Sequence, residues 1–381
     1  MRIAAYNVEN LFDRARVFND DSDAHAAVLD AHAEINKLFE KPVYSDADKA
    51  RMLVLLEQLG MLNDNDGPFV WLRKIRGQLI SRPRDRRKPR KIVAAGREAW
   101  IGWVELKTET VDETAMLLTA QVIFDVGADV LAMIEAESRP VLKTFQEIMA
   151  KKLDLAETYA HVMLIDGNDM RGIDVGLATR AGFPIGRVRS HSDELKEDGH
   201  PIFSRDCPEY EVTTPSGQTI MVLANHFKSK YGGDIERSDA KRLAQASAVK
   251  RYYDRLRADG FENIVVLGDL NDTPDRAPLQ PLLRDTDLRD VSGHPNFTQV
   301  EYNNPRRPDD GGKGTFKLGN DNDKIDYLLV SPALWGRITL GGIFRKGAWP
   351  GKRARWAVYP ELTKEHHAAS DHHLIWVDVD I

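Results

Sequence analysis

The sequence predicts an α+β fold in a single domain with a helical N-terminal insertion. Three observations support this: apolar strands mostly follow one another with few helices between them, the N-terminal stretch repeats near 3.6 residues, and no repeat or Gly/Ser-rich linker divides the chain. With 381 residues, 42% hydrophobic and 29% charged, there is enough apolar material for a large core. The single Cys207 excludes an intrachain disulfide framework and a multi-cysteine zinc site. The net charge of -6 argues weakly against coating nucleic acid by bulk charge but leaves a local basic groove open. The chain opens directly on a strand, without a secretory signal or membrane-length apolar run, so a cytoplasmic protein with no membrane partner is expected.

In chain order, Ile3 to Tyr6 is a short apolar strand. Asp20 to about Leu62 reads as helical from the spacing of Ala24, Val28, Ala31 and Ile35 and of Met52, Leu55, Leu56 and Leu59, split by Pro42 and ended by Gly60. The run from Arg82 to Lys91 is strongly basic; its two prolines exclude a regular helix, and a solvated loop and a nucleic-acid contact carry equal weight for it. Thr114 to Val126 reads as a helix stopped by Gly127, and Asp129 to Glu135 as a strand. Further strands are expected at Val175 to Thr179, Ile220 to Asn225, Ile264 to Leu267, Tyr327 to Val330 and Leu374 to Val379, with helices from about Glu236 to Arg257 and Pro278 to Arg284.

Polar groups sit at the ends of these strands. Asn7 follows the first, Glu135 the Val130 strand, His226 the Val222 strand, and Asp269 with Asn271 the Ile264 strand. Asp326 starts the Tyr327 strand, and Asp371 with His372 precedes the Leu374 strand. A lone Asp beside a strand is usually a turn or cap residue, and with 59 Asp plus Glu one coincidence means little; six together point to a site. Glu135, with Asp371 or Asp269, offers the hard oxygens that Mg²⁺ or Mn²⁺ prefers. His372 could take a proton from water if Asp326 fixed its ring. Asn7, Asn271 and His226 could donate hydrogen bonds to charge building on a phosphate.

Taken in order, Asn7-Val-Glu-Asn-Leu-Phe12, the Asp129 to Glu135 strand, Asn225-His-Phe-Lys-Ser-Lys230, Gly268-Asp-Leu-Asn271, Ile325-Asp-Tyr327 and Ser370-Asp-His372 resemble the motifs of the endonuclease/exonuclease/phosphatase superfamily, the deoxyribonuclease I and exonuclease III relatives. The resemblance covers residues 1–11 and about 114 to 381. It implies a four-layered α/β sandwich, two mostly antiparallel sheets packed face to face with helices outside, and Mg²⁺-dependent cleavage of phosphate esters. It also implies that Glu135 is the principal metal ligand, with Asn7 and Asp371 close to the ion; that His226 and Asn271 contact phosphate; that Asp269 orients or activates water; and that Asp326 and His372 form the carboxylate-imidazole pair. Glu9 and Glu137 compete with Glu135 as ligands. Arg171 resembles a phosphate-reaching position, with a structural ion pair as its alternative.

One departure from the family is length: residues 13–112 form an insertion where the family has a short connection, and substrate choice could lie there. The Asn-His-Phe-Lys-Ser-Lys segment looks more like the deoxyribonuclease I side and bacterial nucleases than the abasic-site repair enzymes. Lys228, Lys230, Arg237, Lys241 and Arg242, with Arg306, Arg307 and Lys313, could wall a nucleic-acid groove, or they form a solvated, charge-balanced surface. Trp349 among Lys352, Arg353 and Arg355 suits base stacking, although packing against the body of the domain is the more ordinary role. A nuclease is the first expectation. A phosphatase or phosphodiesterase for a small-molecule or lipid-headgroup ester is the second, and a scaffold that lost catalysis is the third.

Overall fold

The structure, a computed structural model, describes residues 1–11, 23–83, 85, 87–107, 113–154, 158–169, 172–230, 234–304, 306 and 310–381. These form two compact units, one of Met1–Phe12 with Val111–Ile381 and one of Asp13–Thr110.

The chain starts with β1 (Arg2–Leu11). The smaller unit follows with α1 (Asp23–Phe39), α2 (Asp46–Gln58), β2 (Val70–Gly77), β3 (Ile80–Ser81), β4 (Lys91–Ile92) and β5 (Trp100–Leu106). The larger unit resumes with α3 (Glu113–Val126), β6 (Val130–Ala136), α4 (Arg139–Lys152), β7 (His161–Leu164), β8 (Asp174–Thr179) and β9 (Ile185–Arg189). Next come β10 (Glu209–Thr213), β11 (Thr219–His226), α5 (Ile235–Ala258), β12 (Ile264–Asp269), α6 (Gln280–Leu283), β13 (Arg289–Asp290) and β14 (Phe297–Val300). The last elements are β15 (Asp326–Val330), α7 (Pro332–Trp335), β16 (Ile338–Phe344) and β17 (Leu374–Val379).

Two sheets make the body of the larger unit, in the orders β14-β16-β17-β1-β6-β8-β7 and β13-β15-β12-β11-β10-β9. Neighbouring strands are antiparallel except β1 with β6, β11 with β12 and β14 with β16. Strand alternation accounts for the layers. Ile3 and Ala5 of β1 and Ala132 and Ile134 of β6 point inward and meet Val222, Val265 and Leu328 of the second sheet. Ala4, Tyr6, Leu131 and Met133 point outward against Leu118 and Val122 of α3 and Phe145 of α4. On the far side, Leu223 and Val266 pack against Val249 and Tyr253 of α5. The expected α/β/β/α sandwich is therefore present.

In the smaller unit the two anticipated helices flank Pro42, and Ser45 and Asp48 start the second with a reciprocal capping box. Their apolar faces share a core with the strands β2 to β5, which the helical reading of this stretch did not foresee.

Candidate active site

Polar residues converge because of strand direction. β1, β6, β11 and β12 run toward one end of the sandwich and finish there, whereas β15 and β17 begin there. The register fixes the row: His226 lies opposite Asp269, and Asp269 opposite Asp326. The row depends on Gly268, whose φ is +123° and where a Cβ would fall 2.1 Å from the Asn225 carbonyl oxygen.

Three residues at this end hold left-handed backbone despite carrying side chains: Glu9 (φ 45°), Glu135 (φ 66°) and Asn271 (φ 52°). Glu135 sits where the β6 pairing with β8 slips by a residue, and Glu9 where β1 slips against β6. A bulge of this kind turns a side chain out of the ladder, and such backbone costs about 1–3 kcal/mol per residue, sustained only by firm surroundings.

The contacts are close. His372 Nδ1 lies 2.9 Å from Asp326 Oδ2, which directs Nε2 toward Asn7 Nδ2 at 3.4 Å and Asp371 Oδ1 at 3.7 Å. Asn7 Nδ2 also approaches Asp269 Oδ2 at 3.3 Å and Glu135 Oε1 at 3.4 Å. His226 Nε2 is 3.6 Å from Glu135 Oε1 and 3.7 Å from Asp269 Oδ2. Asn271 donates its backbone N–H to Asp269 Oδ1 at 2.8 Å and its amide to Asp269 Oδ2 at 3.0 Å.

Supporting contacts hold these groups in place. The Ser370 hydroxyl donates to the Asn7 carbonyl at 2.8 Å and accepts the His372 N–H at 3.0 Å, which ties β1 to the segment leading into β17. The Thr315 hydroxyl accepts the Asp326 N–H at 2.9 Å, and its carbonyl accepts the His373 N–H at 2.7 Å. Asp371 donates its N–H to Glu9 Oε2 at 2.8 Å. Thr315 carried no sequence signal. Glu9 did: two residues beyond Asn7 on a strand, it belongs on the same face.

The electrostatics show an excess of negative charge. Burial, then the Asp326 carboxylate, push Asp269 up to about 8. Asp371 is raised by burial, with Glu135 adding to it. Glu9, which stays open to water, is raised by its low-polarity surroundings and by Asp371. Burial alone would lower His372, but Asp326, Asp269 and Asp371 outweigh it and hold the imidazole well above its ordinary value. Such a donor set is rich in hard oxygen and short of positive charge, which fits a divalent cation. Asp269, Asp326 and His372 bring one ligand atom each within 4.8 Å of one another, so this buried group could hold a metal ion.

The structure thus brings Asn7, Glu135, His226, Asp269, Asn271, Asp326, Asp371 and His372 together at one end. Arg171, like Arg307, lies outside the described residues. The Lys230 ammonium is turned to Asp272 at 2.9 Å, and Lys228 Nζ donates to the Ser229 carbonyl at 3.3 Å. Arg242 corrects the reading of a positive wall: it is buried, bonded to Asp272 at 3.1 Å and to Asp239, and it braces α5 rather than facing solvent. A cavity of about 860 Å³ adjoins the site, with Glu9 and Asp371 on its near side and Lys317, Leu318, Trp349 and Lys352 farther out. Trp349 packs on the outer core, the more ordinary of the two roles considered for it, and also lines this cavity.

Residues 90–348 match the family model described as "Endonuclease/Exonuclease/phosphatase family", a span that contains Glu135, His226, Asp269, Asn271 and Asp326. No curated protein matches the sequence. Similar solved structures include an endonuclease/exonuclease/phosphatase family protein of Bacteroides thetaiotaomicron at 15% identity and TM-score 0.47, covering 69% of this chain and 87% of that one. Truncated TDP2 of Caenorhabditis elegans is similar at 15% identity and TM-score 0.44, covering 69% and 89%. A mannosyl-6-phosphatase of Bacteroides thetaiotaomicron is similar at 15% and 0.47, covering 70% and 91%. Likeness at this level does not bear on substrate. Among the described residues no helix is long and apolar enough to cross a membrane.

Proposed function

The chain belongs to the endonuclease/exonuclease/phosphatase family of phosphoester hydrolases, and from that premise we propose that it is a Mg²⁺- or Mn²⁺-dependent nuclease acting on DNA, RNA or both. The observation that carries this reading is the His372–Asp326 pair, set against Asp269 and Asn7 beside a cavity lined by an indole and two lysines.

In this reading Glu135 and Asp371 would hold the ion, because the facing atoms of Asp326 and His372 are already engaged with each other, and Asn7 would join them only through Oδ1, which here accepts the Glu9 N–H at 3.1 Å. When bound, the ion would polarise a phosphate oxygen and offset the negative field of the carboxylates. His372, with Nδ1–H given to Asp326, accepts the proton of the attacking water at Nε2, while Asp269 orients that water. A base must be neutral, and the raised imidazole would become so only where the charge of Asp326, Asp269 and Asp371 is offset. His226 and Asn271 donate to the phosphate oxygens as charge builds there. The cavity, within the usual size range for ligand pockets, receives the nucleoside beside the scissile phosphate.

Hydrolysis of plasmid and single-stranded oligonucleotide with Mg²⁺ or Mn²⁺, and its loss in EDTA, tests this reading. Turnover confined to sugar, inositol or lipid-headgroup phosphates would replace it with the small-molecule alternative. Full nuclease activity in His372→Ala would end the assigned mechanism.

A further inference from the structure

The chemistry above uses nothing from the Asp13–Thr110 unit, yet the chain's densest positive charge is there. Between Arg73 and Arg97 stand eleven Lys and Arg against a single acid, Asp85. The four strands of the unit form one interrupted antiparallel arm. β2 pairs with β5 from Val70 opposite Leu106 to Gly77 opposite Trp100, and β3 continues with β4 through Ile80 opposite Ile92 and Ser81 opposite Lys91. The basic run closes the arm as its tip.

One face of the arm is spent on packing. Leu72, Ile80, Ile92, Trp100 and Val104 join the core formed with α1 and α2. The register puts Trp71 and Arg73 of β2 on the opposite face with Trp103 of β5, and the irregularity between Lys74 and Arg76 returns Arg76 to that same face. Trp103 is 42% exposed, and the Arg73 guanidinium lies 4.4 Å from the Trp71 ring. Arg82 anchors the base of the tip, donating to the carbonyls of Leu62 at 3.0 Å and Met61 at 2.8 Å and to Asn65 Oδ1 at 2.6 Å.

Some of the charge is already matched: Arg73 pairs with Glu105 and Arg87 with Asp85. Lys74, Arg76, Lys88, Lys91 and Arg97 are exposed and have no ion-pair partner among the described residues. Like charges collected on one arm repel each other, and the pairs made by Arg73 and Arg87 relieve only part of that cost. A bound polyanion would offset more of it. Cations interleaved with an open indole suit one polyanion in particular, a single-stranded nucleic acid, whose phosphates meet the cations while a base stacks on the ring.

We propose that this arm is a second binding surface, built from none of the residues assigned to the chemistry, that holds single-stranded DNA or RNA through Arg76, Lys88 and Lys91 with a base on Trp103. The proposal rests on the nuclease reading for its choice of polyanion. Ile75 and Val93 are also exposed on the arm, which makes an anionic membrane surface the competing occupant.

The test uses the full chain in EDTA, with a labelled single-stranded oligonucleotide followed by fluorescence anisotropy over a salt series. Reversing charge in Arg76→Glu/Lys88→Glu/Lys91→Glu should weaken binding about tenfold or more at low salt and make the log K against log salt slope shallower by about 2. The conservative Arg76→Lys/Lys88→Arg/Lys91→Arg chain should bind as the parent does, and Trp103→Ala should weaken binding without changing the slope. Hydrolysis of a small chromogenic phosphodiester should be the same in all of these. Unchanged oligonucleotide affinity in the charge-reversed chain overturns the proposal, as does binding to phosphatidylserine vesicles without binding to the oligonucleotide. Absence of diester hydrolysis in the parent would count against the catalytic reading alone, because the binding comparison is made without turnover.

Discussion

His372 Nδ1 and Asp326 Oδ2 meet at 2.9 Å from different sheets, the imidazole just ahead of β17 and the carboxylate at the first residue of β15. The pair therefore forms only when the two sheets are packed. In the reading proposed here, His372→Ala should lower kcat on a phosphodiester by about 10²–10⁴-fold, the usual worth of a positioned base. Asp326→Asn should give a smaller loss, since Asn can still accept from Nδ1–H but carries no charge to stabilise the imidazolium. Equal, near-parental kcat in both variants would remove the pair from the mechanism.

Binding of a divalent ion should be visible without any substrate. Protein stripped with EDTA should melt at higher temperature on addition of Mg²⁺ or Mn²⁺, gaining about 2.7 kcal/mol at a hundredfold excess over Kd. Glu135→Gln should lose most of that ion-dependent gain. An identical gain in parent and variant would place the ion away from Glu135.

Stability of the metal-free chain should fall as pH rises from 5 to 8.5. Asp269 and Asp174 have ordinary values of 3.8 when unfolded and are raised to about 8 and about 7 when folded, mainly by burial. The folded state therefore binds more protons in this window, so its advantage is complete at low pH and lost as pH passes the folded values. His372, also raised, acts in the same direction above 6.5. Urea unfolding in EDTA measures this. The expected slope should flatten in Asp269→Asn, and a stability that climbs with pH across this window would contradict it.

Gly268→Ala should be far more damaging than its size suggests. The added methyl would meet the Asn225 carbonyl oxygen at 2.1 Å, and the +123° φ is itself unfavourable for any side chain. A loss above about 3 kcal/mol is expected. Gly199→Ala, also at positive φ but with nothing within 4 Å of the new carbon, should cost about 1 kcal/mol. Comparable denaturation midpoints for the two would show that the strand contact is not tight.

The sequence made the central strands legible because runs such as Ile264 to Leu267 and Leu374 to Val377 are apolar on both faces, and burial on both sides is what a sandwich interior demands. The polar residues ending those runs were legible for the same reason, since a strand that leaves the core must expose its next side chain at the sheet edge. The left-handed backbone at Glu135 was not, because it depends on a bulge created by pairing with a distant strand. α4 was not anticipated, although Pro140 stands at its start, where a helix accommodates Pro well. The arm in the smaller unit was hidden by its charge: β2 buries Val70 and Leu72 and then exposes every residue from Arg73 to Gly77. Arg242 looked like surface charge because helical spacing alone cannot reveal that Asp272 approaches it from another loop.

One consequence follows from the position of β1 between β17 and β6. Asn7 is held by the Ser370 hydroxyl and faces His372, a residue far along the chain. In the reading proposed here the reactive constellation closes only when the strand that follows His372 is seated against β1, so a deletion that removes β17 should leave a chain inert toward phosphate esters.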